Sequence, residues 1–127
     1  MYYTNKHEWI EYSGHNALVG ICKAKLSGAD KIQSVAFCHV LSKLERGVVI
    51  ATFYYERSSF EVYMPVDGKV TDINKKLLEN PSLLLNDNPE SIWILKISPD
   101  APYQREGLLQ AHQYKSLKKK SLGTIHG

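Results

Sequence analysis

The most informative part of the sequence is residues 47–68, which read GVVIATFYYERSSFEVYMPVDG. Val48–Tyr55 and Ser59–Met64 are rich in β-branched and aromatic residues, a composition typical of strands. A short polar break, Glu56-Arg57-Ser58, separates them, and turn-forming glycines close both ends of the segment. The segment therefore predicts a long β-hairpin whose tip lies at residues 56–58.

The rest of the chain up to residue 99 also has the pattern of short strands separated by turns. The further predicted strands are His7–Tyr12, Ala17–Ile21, Ile32–Phe37, Lys69–Ile73 and Ile92–Ile97. Two segments without strand composition, Lys23–Ala29 and Asn74–Glu79, favour short helices. The expected fold class is mainly β with short helices.

Residues 100–127 differ in kind from the first 99 residues. The first 99 residues hold eleven basic and eleven acidic side chains, so the last 28 supply the whole net charge of +3. We expect an amphipathic helix at Pro102–Tyr114 and a flexible, partly disordered basic tail from Lys115. The predicted organisation is one domain over residues 1–99, followed by a C-terminal helix and tail over residues 100–127.

Composition narrows the class of protein. A chain of 127 residues with 43% hydrophobic residues is long enough for one folded domain without disulfides. The apolar runs are of strand length, so no membrane span is expected, and no secretory leader pattern opens the chain. Cys22 and Cys38 lack the spacing of a redox or zinc motif. These features favour reduced thiols and a cytoplasmic location.

Motifs of catalysis and metal binding are not apparent. Cys38 and His39 are adjacent, and neighbours on a strand point to opposite faces, so they are not expected to share a metal site. No glycine-rich phosphate loop or nucleophile motif occurs, so an enzyme is not predicted. Lys118-Lys119-Lys120 is a single short basic run, which favours a solvated tail over a nucleic-acid interface.

Several motifs occur in the same order as in a known family. The chain contains His7-Glu8-Trp9, then Tyr63–Val70 (YMPVDGKV), then Asn80-Pro81, and finally Trp93–Ile97 (WILKI). Over residues 2–99 this series resembles the glycine cleavage system H protein family. The resemblance implies a barrel-sandwich hybrid, the fold of lipoyl and biotinyl domains. It also implies a non-catalytic carrier, whose lipoyl arm moves an aminomethyl group between the enzymes of the system.

The tip departs from the family pattern at the position that carries the lipoyl group. The family reads roughly E-S-V-K-A, whereas this chain reads Tyr54-Tyr55-Glu56-Arg57-Ser58, with Arg57 in place of the acceptor lysine. Lipoylation forms an amide on a free amine, and a guanidinium stays charged and offers no such amine. The lysines nearest in sequence, Lys43 and Lys69, belong to the predicted hairpin base or beyond it. No lipoate or other cofactor is therefore expected.

Aromatic residues accompany the substitution. Five of them are expected to surround Arg57: Phe53, Tyr54, Tyr55, Phe60 and Tyr63. Strand alternation sends about half of them into the core, and the others would face solvent beside an arginine. Tyrosine and arginine are frequent at protein-binding hot spots, so Tyr54–Ser58 is a candidate interaction tip. The alternative is that aromatics simply stabilise a two-stranded ribbon.

Three hypotheses for function follow from these observations. The first is a non-lipoylated, H-protein-like binding or regulatory protein, whose partners are glycine cleavage or lipoylation enzymes or another protein. The second is a genuine lipoyl carrier with an altered or mutated acceptor site. The third is a structural or nucleic-acid-associated module that uses the basic tail. We favour the first, because function resides in sites and not in folds.

Overall fold

The computed structural model of the chain describes residues 1–86, 88–101 and 103–126. The strands in these ranges are β1 (Tyr2–Tyr3), β2 (Glu8–Ser13), β3 (Asn16–Ile21), β4 (Ile32–Phe37), β5 (Lys43–Leu44), β6 (Val49–Tyr55), β7 (Ser58–Tyr63), β8 (Gly68–Ile73) and β9 (Leu95–Pro99). The helical segments are two 3₁₀ helices, Lys23–Leu26 and Pro89–Ser91, and the α-helices α1 (Lys76–Glu79), α2 (Leu83–Asn86) and α3 (Ala111–His126).

Two antiparallel sheets make up the body of the protein. The larger has six strands in the order β1-β2-β3-β9-β8-β5, and the smaller has three in the order β4-β6-β7. Their inner faces contribute to one hydrophobic core, in which Val19 and Leu95 of the larger sheet and Phe53 and Val62 of the smaller are fully buried. Two sheets around a shared core, with few and short helices, confirm the predicted mainly β barrel-sandwich class.

The hairpin predicted from residues 47–68 is present as β6 and β7. Tyr55 pairs with Ser58, so only Glu56 and Arg57 form the connecting turn. Across the ribbon Phe53 pairs with Phe60, and their rings stack with centroids 5.1 Å apart. Cross-strand aromatic pairs of this kind stabilise one register over its neighbours.

The two glycines that flank the hairpin have different physical roles. Gly47 has a φ of +89°, a conformation that only glycine adopts at little cost, so it is a true turn residue. Gly68 begins β8, and a Cβ placed there would lie 2.7 Å from the carbonyl oxygen of Ser98. Gly68 is therefore required for close approach between β8 and β9, where the sequence predicted only a turn.

The last strand begins later than predicted. Ile92–Ile97 was expected as a strand, but β9 covers Leu95–Pro99. Pro89–Ser91 first forms a 3₁₀ turn, whose start is capped by the Asn88 side chain accepting a hydrogen bond from the Glu90 amide at 3.1 Å. After this turn the chain joins the sheet at Ile94, whose amide donates a hydrogen bond to the Val19 carbonyl at 2.7 Å.

The C-terminal helix also differs from the prediction of Pro102–Tyr114. It begins at Ala111 and continues past Lys115 to His126, a segment for which a flexible tail was expected, while Pro102 lies outside the described residues. Before the helix, Leu109 exchanges two backbone hydrogen bonds with Tyr3, at 2.7 and 2.8 Å. Gly107, with a φ of +78°, further disfavours helix there. The division of the chain at residue 99 stays a prediction.

Replacing Gly68 with alanine should destabilise the fold by about 1–3 kcal/mol, because the new methyl group meets backbone atoms of β9 that cannot rotate away. Gly14→Ala is the matched control. At Gly14 the added methyl meets nothing within 4 Å, so only its positive φ of +62° opposes the change. Urea unfolding followed by tryptophan fluorescence would measure both. Equal destabilisation by the two variants would contradict the close-approach role of Gly68.

Candidate functional site: the hairpin tip and its surroundings

The tip of the β6–β7 hairpin is open to solvent. Glu56, Arg57 and Ser58 are all exposed. Within the described residues, no carboxylate lies within 4.0 Å of the Arg57 guanidinium. The guanidinium therefore keeps its five N–H donors available to a binding partner.

The aromatic residues near the tip divide between the two faces of the hairpin. Phe53 is fully buried, and Phe60 and Tyr55 lie on the same face, with ring centroids 6.4 Å apart. Tyr54 lies on the opposite face and is 44% exposed. Of the predicted cluster, Tyr54 is thus the solvent-facing aromatic next to Arg57.

Tyr63 does not belong to this cluster, contrary to expectation. It lies at the base of the hairpin, where it pairs with Val49. The ammonium groups of Lys6 and Lys25 stand 5.9 and 5.0 Å from the centre of its ring. Five residues of strand separate Tyr63 from Arg57, so each belongs to a different end of the ribbon.

The lysines around the tip are also different from those predicted. Lys43 and Lys69 pair with each other between β5 and β8 of the larger sheet, as their position at the base suggested. However, Ile32 of β4 pairs with Tyr55, which brings the exposed Lys31 beside the tip turn. Sequence reasoning considered only Lys43 and Lys69, the lysines nearest to the tip in sequence, and so missed Lys31. It failed because the β4–β6 register is a long-range property that local patterns do not specify.

A buried ion pair ties the N-terminal loop to the base of the hairpin. Glu8 is 1% exposed, and its carboxylate accepts a hydrogen bond of 2.6 Å from the Lys25 ammonium. It also accepts hydrogen bonds from the Thr4 hydroxyl at 2.6 Å and from the Tyr63 amide at 3.3 Å. Removing one partner of such a pair leaves an uncompensated buried charge, at a cost of about 3–5 kcal/mol. Sequence reasoning missed this pair, because its members are 17 residues apart.

Tyr114 anchors helix α3 on the body of the protein. Its ring is 3% exposed and stacks on Tyr3, with centroids 4.8 Å apart. Its hydroxyl lies 2.7 Å from Nδ1 of His7, and its ring belongs to the same buried cluster as Cys22. Burial, and then the contact with Cys22, raise the pKa of Tyr114 well above its ordinary value of 10. The hydroxyl therefore stays protonated and acts as a structural contact.

Neither cysteine has the lowered thiol pKa of a reactive cysteine. Burial is the main cause that raises the pKa of the Cys22 thiol to about 11. Burial likewise raises the pKa of Cys38 above its ordinary value. Both stay protonated at neutral pH, whereas a nucleophile or metal ligand must be a thiolate. Over the described ranges, no three His, Cys, Asp or Glu side chains are grouped closely enough to hold a metal ion.

No helix in the described part of the chain combines the length and apolar character that crossing a lipid bilayer requires.

The pH dependence of stability should reveal the burial of His7. Burial, followed by the charges of Lys25 and Lys118, lowers the pKa of His7 below its ordinary value of 6.5. The folded state then favours the neutral ring. The contribution of neutral His7 to the free energy of unfolding is therefore complete above pH 6.5 and is lost as the pH falls below that value. Urea unfolding at several pH values should show this loss. Asparagine tolerates the φ of +67° at this position, and in His7→Asn this pH-dependent part of the stability should disappear.

His15→Asn, at an exposed turn position, is the matched control and should keep the wild-type slope. The same slope in His7→Asn as in the wild type would show that His7 does not carry this component.

The family model and the similar proteins all point to the same family. The family model described as "Glycine cleavage H-protein" matches residues 1–121, and so extends through the C-terminal segment beyond the residues 2–99 that carried the resemblance. The glycine cleavage system H protein of Bacteroides thetaiotaomicron is 32% identical over 115 residues, covering 91% of both chains. That of a Thermoanaerobacter species is 30% identical over 115 residues, covering 91% of this chain and 90% of the relative.

A solved structure supports the same fold. The crystal structure of a glycine cleavage system H protein from Mycobacterium marinum superposes with a TM-score of 0.78. It covers 93% of this chain and 95% of its own, at 19% sequence identity. Taken with the sequence matches, the two-sheet core and the solvent-exposed hairpin, these findings show that the chain belongs to the glycine cleavage H-protein family.

Proposed function

We propose that the protein is a non-catalytic H-protein homologue that lacks the lipoyl arm and acts by binding other proteins. The observation that carries this proposal is the side chain of Arg57, exposed in the two-residue turn where the family pattern has its acceptor lysine. Amide formation needs an amine that can lose a proton and attack an activated carboxyl carbon. Arginine has a delocalised cation that stays protonated in proteins.

The neighbours of Arg57 support the same proposal. Tyr54 stands three residues before Arg57, where the family pattern has a glutamate, and Tyr55 and Glu56 replace its small residues. A single change in an otherwise ordinary carrier would leave these neighbours intact. Their joint replacement favours a tip adapted to a different task.

The tip has the physical properties of a protein-binding surface. Arg57 is unpaired within the described residues and Tyr54 is 44% exposed, and both residue types are enriched at binding hot spots. The stacked Phe53–Phe60 pair beneath them fixes the ribbon, so little conformational entropy is lost on binding. The partners that we propose are enzymes of glycine cleavage or of lipoylation, and we place the protein in the cytoplasm.

One observation favours the alternative of a genuine lipoyl carrier. The pairing of Ile32 with Tyr55 places the exposed Lys31 next to the tip, so an acceptor amine does lie near the usual position. Lys31 precedes a strand of the smaller sheet and is not in the hairpin turn. A modifying enzyme that recognises the tip turn would meet Arg57 first.

Intact-mass spectrometry after co-expression with a lipoylating enzyme, in medium with lipoate, tests the absence of the arm. The expected result is an unshifted mass, because the tip turn itself, Glu56-Arg57, offers no amine and Lys31 lies outside that turn. The Bacteroides thetaiotaomicron relative, expressed in parallel, is the positive control for the enzyme. A gain of one lipoyl group, mapped to Lys31 and abolished by Lys31→Arg, would establish the alternative instead.

Alanine substitution tests the binding role of the tip. Tyr54→Ala with Arg57→Ala should weaken partner affinity by about 2 kcal/mol or more, roughly 30-fold in Kd, without loss of folding. Surface plasmon resonance with each purified glycine cleavage and lipoylation enzyme from the same organism would measure this. Lys43→Ala with Lys69→Ala, exposed residues of the other sheet, is the control pair. Unchanged affinity in the tip variant would refute the docking role.

A further inference from the structure

A surface groove of about 910 Å³ lies beside the 3₁₀ helix Lys23–Leu26. Its walls come from that helix, from the α2 region and from helix α3. Leu26, Leu84 and Pro89 give it a buried apolar floor. A groove of this size accommodates a few side chains of a peptide or a small organic ligand.

Within the part of the chain that the structure describes, the charged side chains that line the groove are all basic. Lys23 and Lys118 line it, and both are exposed. The Lys118 ammonium stands 5.0 Å above the ring of Tyr114, which holds this lysine at the groove by a cation–π contact. No carboxylate among the described residues lines the groove. An anionic ligand would thus meet the ammonium groups of Lys23 and Lys118 beside an apolar floor.

The groove ends close to the hairpin tip. Ala29 lines it, and the chain needs only two more residues, about 7 Å at most, to reach Lys31. Lys31 precedes Ile32, which pairs with Tyr55 next to the tip turn. The apolar groove and the tip cation Arg57 therefore belong to one continuous side of the molecule.

We propose that this groove binds an acidic and partly apolar segment of a partner protein. Aspartate or glutamate side chains of the segment would pair with Lys23 and Lys118, and its leucine-like side chains would cover the floor at Leu26. Arg57 would bind a further carboxylate of the same segment where the segment reaches the tip. This last contact rests on the proposed docking role of the tip, whereas binding in the groove does not.

Nucleic acid fits these features less well. A phosphate backbone needs a series of cations, and among the described side chains two lysines line the groove. Unpaired bases bind by stacking on aromatic side chains, and no aromatic residue in the described part of the chain lines the groove. The apolar floor at Leu26 and Leu84 would remain uncovered by phosphates. An acidic peptide satisfies the lysines and the floor together.

The probe for a test is a fluorescein-labelled peptide of about eight residues, built from glutamate and leucine, which spans roughly 26 Å when extended. Fluorescence anisotropy at low salt should show binding that Lys23→Glu with Lys118→Glu weakens about tenfold. Amide shifts in ¹⁵N-HSQC spectra of the wild type should map to residues 23–29 and to Leu85 and Asn88. Lys23→Glu alone should weaken binding by a smaller factor. Because this variant leaves helix α3 unchanged, it tests the groove even if Lys118→Glu disturbs that helix.

Lys43→Glu with Lys69→Glu, in β5 and β8 of the larger sheet, changes the net charge by the same amount. It should leave the affinity for the peptide unchanged. No peptide binding up to about 1 mM, or equal weakening by both charge-reversed pairs, would overturn the proposal. Tighter binding of a thymidine oligonucleotide of the same charge would overturn it in favour of a nucleic-acid site. Arg57→Ala separates the groove proposal from the tip proposal. If this variant binds the peptide as the wild type does, and the tip substitutions leave partner affinity unchanged, only the docking role of the tip is refuted.

Discussion

The two-residue turn between Tyr55 and Ser58 is the constraint on which the functional side of the molecule depends. Because the turn holds only Glu56 and Arg57, the hairpin register leaves no freedom over which side chains stand at the tip. The stacking of Phe53 on Phe60 enforces this register from within the core. A shift by one residue would exchange the buried and exposed faces, so Arg57 and Tyr54 are fixed where a partner would meet them.

The same end of the fold combines residues that are distant in sequence. The pairing of β4 with β6 brings Lys31 to the tip turn, and the loop that precedes β4 leads from the groove floor at Leu26. On the far side of the groove, buried Tyr114 seats helix α3 and so positions Lys118. The tip, the groove and the C-terminal helix are thus linked through neighbouring segments of the fold, although no single sequence motif spans them.

The sequence was sufficient where structure is set locally. The alternation and turn residues of 47–68 predicted the hairpin, and the order of motifs predicted the sandwich. It was insufficient where a long-range contact decides. Amphipathic spacing predicted a helix from Pro102, but the pairing of Leu109 with Tyr3 and the turn at Gly107 keep the preceding chain out of a helix, which begins at Ala111. Sequence reasoning missed Lys31 for the same reason, since strand pairing across the sheet cannot be read from neighbouring residues.

The central claim is that this member of the family carries no lipoyl group, and the most direct measurement is made on the protein from its own cells. Peptide mapping by mass spectrometry of the isolated protein, covering Lys31 and every other lysine, would show what the living cell attaches. The account predicts unmodified lysines and an unmodified Arg57 at the exposed tip. A lipoyl amide on Lys31, or on any other lysine, would contradict it and identify the protein as a working carrier with a relocated arm.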